Sequence, residues 1–405
     1  MSEEIYPGRG SPTSYSDTQE IRPLRWAASL ITGTTPSGPK ERNFSDSGKI
    51  GWVTPEDLKS PVKPTRYLND HGMEQARVVP AGSTLVCGIG SIGKLGFSDI
   101  SLTTNQQITA AVPYSGVAPR YLYYTLMAEQ PQIISEAVVT TLPIINNTRL
   151  GEVKVRIPSL ETQRRIADYL ERETSQIDAM LDKLISLEIQ LRDRKSALSS
   201  SFFVQDFKQV KLKWLLEEVD DRAGKRSREL PLLSVSIHHG VQLRDGSLTN
   251  QSPSDNLSHY KVAKPGQIVL NRMRAFQGGL GVSKWHGLVS PDYSVLQTRD
   301  ELTPGWAEFM MRTPEFVSIM TQALRGIGGV DQGNVRTPRI NVRDLLELPI
   351  PAPPLGEQRR IADHLDDVTS KIDAMLAKVA QLKDLLTERR AALITDVVTG
   401  RKDVA

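Results

Sequence analysis

The sequence of 405 residues contains a single cysteine, Cys87, which excludes a disulfide framework and any zinc or iron–sulfur site built from several cysteines. No apolar run reaches the roughly 18 residues of a transmembrane helix, so no membrane span is predicted. The segment from Met1 to Glu20 is polar and lacks the apolar core of a secretory signal, which favours a cytoplasmic protein. The net charge of +3 indicates a polyanionic partner only if the charge is clustered.

Motifs of enzyme active sites are also missing. There is no Walker phosphate loop, no N-P-P-Y or D-P-P-Y signature of adenine-amino methyltransferases and no G-x-S-x-G nucleophile elbow. The pair His238-His239 lacks the spacing of a zinc site. The run from Gly88 to Gly93 matches G-x-G-x-x-G, but neither a helix nor an acidic ribose-binding residue follows. A tight glycine turn with Ser91 and Lys94 as phosphate donors is favoured, and the chain by itself is predicted not to be an enzyme.

An internal duplication dominates what is present. Residues 163–168 and 358–363 both read Q-R-R-I-A-D, and residues 177–181 and 372–376 both read I-D-A-M-L, at one offset of 195 residues. Upstream, the two halves diverge but keep an order of features. Each has a Leu-Arg-Trp or Leu-Lys-Trp opening, a turn before a short buried strand, a glycine-rich stretch and a helix with aromatic residues. The order predicts two α/β globules, each followed by one matched segment.

The matched segments are predicted to be long helices. Apolar residues recur at spacings of three, four and seven over about five heptads, without an internal Gly or Pro. An exposed stripe of this kind is unfavourable, so the two helices, each about 60 Å long, are predicted to pack antiparallel as a coiled coil with pseudo-twofold symmetry. The stripe comprises Ile166, Leu170, Ile177, Leu181, Leu184, Leu191 and Leu198 in one copy and Ile361, Leu365, Ile372, Leu376, Val379, Leu386 and Leu393 in the other.

The predicted fold class is therefore mixed α/β, with two globular domains separated by two long helices. The predicted segments are a flexible N-terminal tail over 1–19, a first globule over 20–157, a first long helix over 158–205, a second globule over 206–352, and a second long helix with the C-terminal tail over 353–405.

Basic residues outside the long helices suggest a nucleic-acid surface. The helices are nearly neutral, with seven Lys/Arg against eight Asp/Glu in residues 161–203 and eight against eight in residues 356–401. Arginine fits guanine and glutamine fits adenine, although a solvated loop remains the alternative. Arg272 and Arg274 point to one side if the strand from Ile268 continues that far. The candidate DNA contacts are Lys40, Arg42, Ser91, Lys94, Arg272, Arg274, Gln277, Arg336 and Arg339, with Arg343 nearby.

Several longer segments resemble one known family. They are W-V-T-P-E-D-L at 52–58, G-S-I-G-K at 90–94, L-N-R-M-R-A-F-Q-G-G-L-G-V at 270–282, S-P-D-Y at 290–293 and P-I-P-A-P-P-L-G-E-Q-R-R-I at 349–361. Together with the duplication, these residues resemble the specificity subunit of type I restriction-modification enzymes. The resemblance extends from about residue 20 to Val398.

The resemblance implies that each globule is a target-recognition domain that reads half of a bipartite double-stranded DNA site. It implies that the long helices separate the globules and dock two methylation subunits, which bring S-adenosylmethionine. Restriction or translocase subunits would join with ATP and Mg²⁺, and this chain would bind no cofactor or metal. The expected location is the cytoplasm of a bacterium or archaeon, at the nucleoid and away from membranes.

The first turns of the long helices are candidates for partner docking, with an ordinary solvated turn as the alternative. Two other classes of function remain open. One is a non-enzymatic coiled-coil adaptor with two protein-binding domains, and the other is an enzyme that uses Gly88–Gly93 as a cofactor loop. Steep salt dependence would distinguish DNA binding from the adaptor. The docking candidates are Gln163, Arg164, Arg165, Gln358, Arg359 and Arg360.

Overall fold

The computed structural model describes residues 20–48, 50–139, 142–203, 207–237, 239–244, 257–325 and 339–404. They form two compact units. The first unit comprises the described residues up to Leu184 and those from Gln381 onward, and the second comprises Ile185–Ala380. Within the described ranges, no helix is long and apolar enough to cross a membrane.

The first unit contains thirteen strands and five short helices besides the long ones. The strands are β1 (Glu20–Pro23), β2 (Ala28–Thr32), β3 (Phe44–Ser45), β4 (Ile50–Val53), β5 (Arg66–Leu68), β6 (Val78–Val79), β7 (Ser83–Cys87), β8 (Leu95–Ser98), β9 (Leu102–Thr104), β10 (Ile108–Pro113), β11 (Val138–Val139), β12 (Pro143–Ile144) and β13 (Lys154–Ile157). The helices are α1 (Lys40–Asn43), α2 (Asp70–Glu74), α3 (Pro119–Ala128), α4 (Gln130–Ser135) and α5 (Asn147–Glu152), followed by the long α6 (Leu160–Phe203).

The described residues of the second unit form ten strands and four short helices besides the long ones. Its strands are β14 (Gln209–Lys211), β15 (Leu216–Val219), β16 (Leu233–Ser236), β17 (Gly240–Leu243), β18 (Lys261–Ala263), β19 (Ile268–Asn271), β20 (Leu280–Val282), β21 (Gly287–Val289), β22 (Tyr293–Thr298) and β23 (Pro349–Pro351). Its helices are α7 (Leu212–Leu215), α8 (Pro304–Arg312), α9 (Pro314–Arg325) and α10 (Val342–Leu346), followed by the long α11 (Leu355–Val398).

A four-stranded antiparallel sheet has the same topology in both units. Its order is β2-β10-β7-β8 in the first and β15-β22-β19-β20 in the second. A glycine with positive φ, Gly82 or Gly266, forms the turn before the buried strand β7 or β19, as predicted. The aromatic helices α3 and α8 follow each sheet. The mixed α/β class and the repeated order of features are thereby confirmed.

The remaining sheets differ between the units. The first unit adds a five-stranded sheet of order β3-β5-β4-β9-β6, whose strand β4 contains Trp52 and Val53 of the W-V-T-P-E-D-L segment. The second unit has the two-stranded sheets β16-β17 and β18-β21 instead. A short sheet common to both, β1-β13 or β14-β23, joins the start of the globule to the residues that precede the long helix.

The two long helices bury the predicted apolar stripe. Ile177, Leu191, Ile372 and Val379 are buried, and none of the fourteen predicted stripe residues is exposed. Both helices begin just after prolines, whose fixed φ suits a helix start, and Gly400 with φ of 75° follows the end of α11. Each helix continues from one unit into the other, so each unit contains one part of both.

Within each unit the two helix segments run antiparallel. In the first unit, Arg390 donates to Asp178 over 2.9 Å, while Ile166 and Leu170 share a core with Ile394. In the second unit, Lys195 donates to Asp373 over 2.6 Å. Asp178 and Asp373 are repeat equivalents, 195 residues apart, and so are Lys195 and Arg390. The same ion pair therefore occurs twice, as the duplication predicts for antiparallel pairing.

A buried glutamine in the first turn of each long helix ties that helix to the globule. The Gln163 side chain accepts from the Ala118 backbone N–H over 2.8 Å and donates to the carbonyls of Gly116 at 3.1 Å and Pro158 at 2.8 Å. Its amide thus satisfies polar backbone groups beside the start of α3 that water does not reach. We call this arrangement the glutamine clasp.

The second unit repeats the clasp. Gln358 accepts from the Thr303 backbone N–H over 2.9 Å and donates to the carbonyls of Glu301 at 2.9 Å and Pro353 at 2.8 Å. Both glutamine side chains are 0% exposed. The clasp fixes the direction in which each long helix leaves its globule.

We expect Gln163→Leu and Gln358→Leu each to lower the free energy of unfolding by about 3 kcal/mol, because each leaves one backbone N–H and two backbone carbonyls without partners at a buried or part-buried site. Urea unfolding followed by circular dichroism measures the change. Arg164→Leu and Arg359→Leu, exposed neighbours in the same turns, are matched controls and should stay within about 0.5 kcal/mol. Glutamine variants as stable as these controls would contradict the clasp.

Candidate nucleic-acid interface

The two glycine-rich loops singled out in the sequence occupy the same place in the two units. One joins β7 to β8 and the other joins β19 to β20, which are equivalent hairpins of equivalent sheets. The backbone N–H of Ile145 donates to the Gly88 carbonyl over 2.9 Å, and that of Ile340 donates to the Arg272 carbonyl over 3.1 Å. The loop with Ser91 and Lys94 therefore corresponds to the loop with Arg272, Arg274 and Gln277.

The second-unit loop departs from one expectation. The strand ends at Asn271, whose side chain accepts from the Met273 N–H over 3.1 Å, and residues 272–274 form a turn. The sequence predicts that Arg272 and Arg274 lie on one side if the strand continues that far. The strand does not continue to them, so this expectation is wrong. The Arg272 Nε donates to the Ile340 carbonyl over 3.1 Å, so this half-buried side chain holds the loop against a neighbouring segment. Arg274 and Gln277 are exposed.

Tyr293, at the start of β22, lies near charged residues from separate segments. The Tyr293 hydroxyl accepts a hydrogen bond from the Asn271 side chain over 3.3 Å. Burial raises the pKa of Tyr293, while the nearby cations Arg274 and Arg244 act to lower that pKa. Arg339 donates to Asp292 over 2.6 Å. We define the Tyr293 cluster as Arg244, Asn271, Arg274, Asp292, Tyr293 and Arg339.

The Tyr293 cluster combines predicted and unpredicted residues. Arg274 and Arg339 were predicted from basic groupings, and the S-P-D-Y segment signalled the place of Tyr293. Arg244 and Asn271 were missed, because Arg244 lies at the end of β17, far away in sequence, and Asn271 carries no charge. Arg336 lies outside the described residues, and Arg343 is exposed on α10. The cluster offers guanidinium donors, which bind base edges and phosphates, whereas the Asn271 amide is buried and donates to Tyr293.

The first-unit loop has a different chemistry. Gly90 and Gly93 have φ of 82° and 80°, and β8 follows without a helix, so the loop is the tight glycine turn that was predicted. Ser91 is exposed, whereas the Lys94 ammonium donates to the Pro55 carbonyl within the chain. Lys40 and Arg42 are exposed on α1, beside the five-stranded sheet and away from this hairpin in the topology. The structure thus distributes these four candidates over two places.

The residues predicted to dock a partner fall into two groups, buried glutamines and exposed arginines. The clasp glutamines Gln163 and Gln358 are occupied inside the chain, so the docking prediction narrows to the arginines beside them. Arg164, Arg165 and Arg359 are exposed, and Arg360 is exposed but pairs with Glu357.

Some apolar residues of the long helices are exposed at repeated positions. Met180 and its repeat equivalent Met375 are 52% and 44% exposed, and Leu187 and Leu382 are 41% and 47% exposed. Apolar exposure repeated at equivalent positions is typical of a surface that a partner covers. The helices thus combine a buried stripe with a second, exposed apolar set.

The described part of the chain contains no group of His, Cys, Asp and Glu side chains that could hold a metal ion. His238 lies outside that part. Cys87 is buried in β7, and burial raises the pKa of its thiol, so it is a core residue rather than a nucleophile.

Comparison with known proteins relates the chain to one protein family. A family model described as the type I restriction modification DNA specificity domain matches residues 28–188 and 319–384. The type I restriction enzyme MjaIX specificity subunit of Methanocaldococcus jannaschii is 28% identical over 162 residues, which cover 37% of each chain. The EcoDI specificity subunit of Escherichia coli is 21% identical over 342 residues, which cover 71% of this chain and 75% of the relative. The match to the EcoR124I/EcoR124II specificity subunit of Escherichia coli covers 42% of that protein, so this alignment and the MjaIX one span less than half of each relative.

Solved structures show the same fold. One from work on complex assembly and conformational transition of the type I R-M system has a TM-score of 0.68 at 16% identity, covering 96% of this chain and 99% of that chain. The HsdS subunit from Thermoanaerobacter tengcongensis has a TM-score of 0.50 at 16% identity, with the same coverage. The curated relatives are specificity subunits, which agrees with the prediction of a non-catalytic chain. Since the family model covers more than half of the sequence, the chain belongs to the family of type I restriction-modification specificity subunits.

Proposed function

We propose that the chain reads the two halves of a bipartite DNA site, one with each unit, and docks methylation subunits along its long helices. One observation carries the proposal: the same sheet, hairpin and glutamine clasp occur twice, while the loop they present differs. Gly88 stands in one loop where Arg272 stands in the other. We call the repeated sheet, hairpin and glutamine clasp the frame. A repeated frame with different loops suits recognition of two different half-sites on one duplex.

The Tyr293 cluster is the proposed DNA-contacting surface of the second unit. Its exposed arginine, Arg274, is suited to a bidentate contact with guanine, whereas Arg272 keeps the loop in place through Ile340. In the first unit, Ser91 and the glycine-rich turn are proposed to approach the backbone of the other half-site. Lys40 and Arg42 would contact phosphates from α1.

The docking of methylation subunits is proposed for the exposed faces of the long helices. Support comes from Met180 and Met375, which are exposed at equivalent positions, and from the exposed arginines of the first helical turns. Because these surface residues are repeated, they suit a partner that binds twice. S-adenosylmethionine is proposed to reside on the methylation subunits, and ATP and Mg²⁺ on restriction subunits that join them. The setting would be the cytoplasm, at the nucleoid.

The experiment that tests the proposal is co-expression of the chain with the methylation subunit of its own system, followed by mapping of methylated adenines across a genome. We expect two defined half-sites separated by a gap of constant length, and no methyl transfer or cleavage by the purified chain alone. DNA binding should weaken steeply as salt rises from about 50 to 200 mM, because several phosphate contacts are made. Methylation without a bipartite site, or turnover by the chain alone, would contradict the proposal.

Substitutions in the second-unit loop test the proposed roles of its two arginines. Arg274→Ala should relax recognition at one base of the second half-site by about 1–3 kcal/mol, the worth of one bidentate base contact. Arg272→Ala should weaken the whole half-site, because it frees the loop from Ile340. Methylation maps and binding to single-base variants of the site measure both effects. Arg299→Ala, exposed just after β22 at the end opposite Tyr293, is the matched control. An unchanged map for Arg274→Ala would remove that residue from base reading.

A further inference from the structure

Two tryptophans stand out by their exposure. Trp26 and Trp214 are 52% and 62% exposed, whereas Trp52 and Trp306 are buried and Trp285 is half-buried. These are all five tryptophans of the sequence. The two exposed ones belong to the repeated Leu-Arg-Trp and Leu-Lys-Trp segments, so the exposure occurs at one place in the frame and occurs twice.

The backbone around both tryptophans is held in the same way. Leu24, two residues before the first tryptophan, is fully buried and its N–H donates to the Val153 carbonyl over 2.8 Å. Leu212, two residues before the second, is fully buried and its N–H donates to the Leu348 carbonyl over 2.9 Å. The leucine anchors each turn in the core and leaves the tryptophan outside.

An ion pair also accompanies each tryptophan. Arg25 pairs with Glu152, and Lys213 donates to Glu347 over 2.8 Å. The two glutamates are repeat equivalents, 195 residues apart. In both units, therefore, an exposed indole is preceded by a basic residue that a glutamate engages. The two tryptophan turns share backbone support, charge and an aromatic group.

Single exposed apolar residues are ordinary on protein surfaces, but a matched pair requires a common cause. The fold does not supply one, since the indoles remain outside the cores. Base reading does not supply one either, because the loops proposed to read bases differ between the units, with Gly88 in one and Arg272 in the other. A ligand that meets both units in the same way is either present in two copies or is itself two-fold symmetric, as the backbone of duplex DNA is. Glu152 and Glu347 engage the basic residues beside the two indoles, and their carboxylates disfavour phosphate there, which favours a protein present in two copies.

We propose that Trp26 and Trp214 each anchor one copy of the methylation subunit, so that each docking surface extends from the faces of the long helices onto the tryptophan turn, which is bonded to the segment just before a long helix. This assignment rests on the proposed function. Tryptophan is enriched among the few residues that dominate binding at protein interfaces, because it brings a large apolar area with few rotatable bonds. The adjacent ion pairs, Arg25 with Glu152 and Lys213 with Glu347, form the polar rim that such anchors have.

The test compares Trp26→Ala, Trp214→Ala and the double variant for binding of the purified methylation subunit, measured by titration calorimetry and mass photometry. We expect each single variant to weaken one of two binding steps roughly 30-fold, the effect of losing a hot-spot residue, and to accumulate the one-to-one complex. The double variant should weaken both steps by the same factor. The variants should keep the fold, since the indoles are exposed, and thermal unfolding checks this. Ile100→Ala, also 50% exposed, is the control and should bind two copies normally.

The outcomes separate the docking surfaces from the proposed function. A double variant that binds two methylation subunits with unchanged affinity overturns the tryptophan anchors and leaves the proposed function standing. A double variant that keeps this binding but loses affinity for DNA makes the indoles DNA contacts and also overturns the anchors. An unmodified chain that takes up no methylation subunit contradicts the proposed function itself.

Discussion

The repeated architecture depends on the glutamine clasp. A helix that leaves a globule in a fixed direction needs its first turn attached to that globule, and the clasp supplies this with one donor–acceptor side chain. Gln163 and Gln358 each meet one backbone N–H and two backbone carbonyls, a combination that no apolar side chain of similar size can satisfy. The aromatic helices α3 and α8 begin at the same contact. Globule, helix start and sheet are thereby fixed together in each unit.

The clasp and the repeated ion pairs explain why some segments of the halves match and others diverge. Asp178 with Arg390 and Asp373 with Lys195 pair the helices in each unit, and any change must preserve both partners. The side chains of the hairpin loops are not matched in this way between the units, since Gly88 in one loop corresponds to Arg272 in the other. In the first unit, the Lys94 ammonium is bound to the chain's own backbone. In the second, Arg274 remains exposed. Under the proposed function, a new half-site requires change in a loop rather than in the repeated sheet, hairpin and clasp.

The sequence predicts the frame well and the site poorly, for physical reasons. Heptad spacing reports burial directly, so the stripe from Ile166 to Leu393 could be read without coordinates. The end of β19 could not be predicted from the sequence. The Met273 N–H donates to the Asn271 side chain and the chain turns there, at a place that the pattern of apolar residues does not mark. The Tyr293 cluster joins segments far apart in sequence. The burial of Gln163 and Gln358 also escaped prediction, since a polar residue in a first helical turn ordinarily indicates solvent.

The central claim, that a repeated helical frame sets the separation of two DNA readers, is tested most directly by lengthening both helices. Duplicating Leu187–Gln190 in α6 and the equivalent residues 382–385 in α11 adds about 6 Å to each helix and shifts the heptad seam without abolishing it. Both helices must change because two ion pairs join them, Asp178 with Arg390 and Lys195 with Asp373. Asp178 and Lys195 are as far apart on α6 as Asp373 and Arg390 are on α11, so lengthening one helix alone would separate the partners of a pair. Mapping of methylated adenines should return the same two half-sites with a gap longer by about one to two base pairs. An active variant that keeps the original gap would contradict the account.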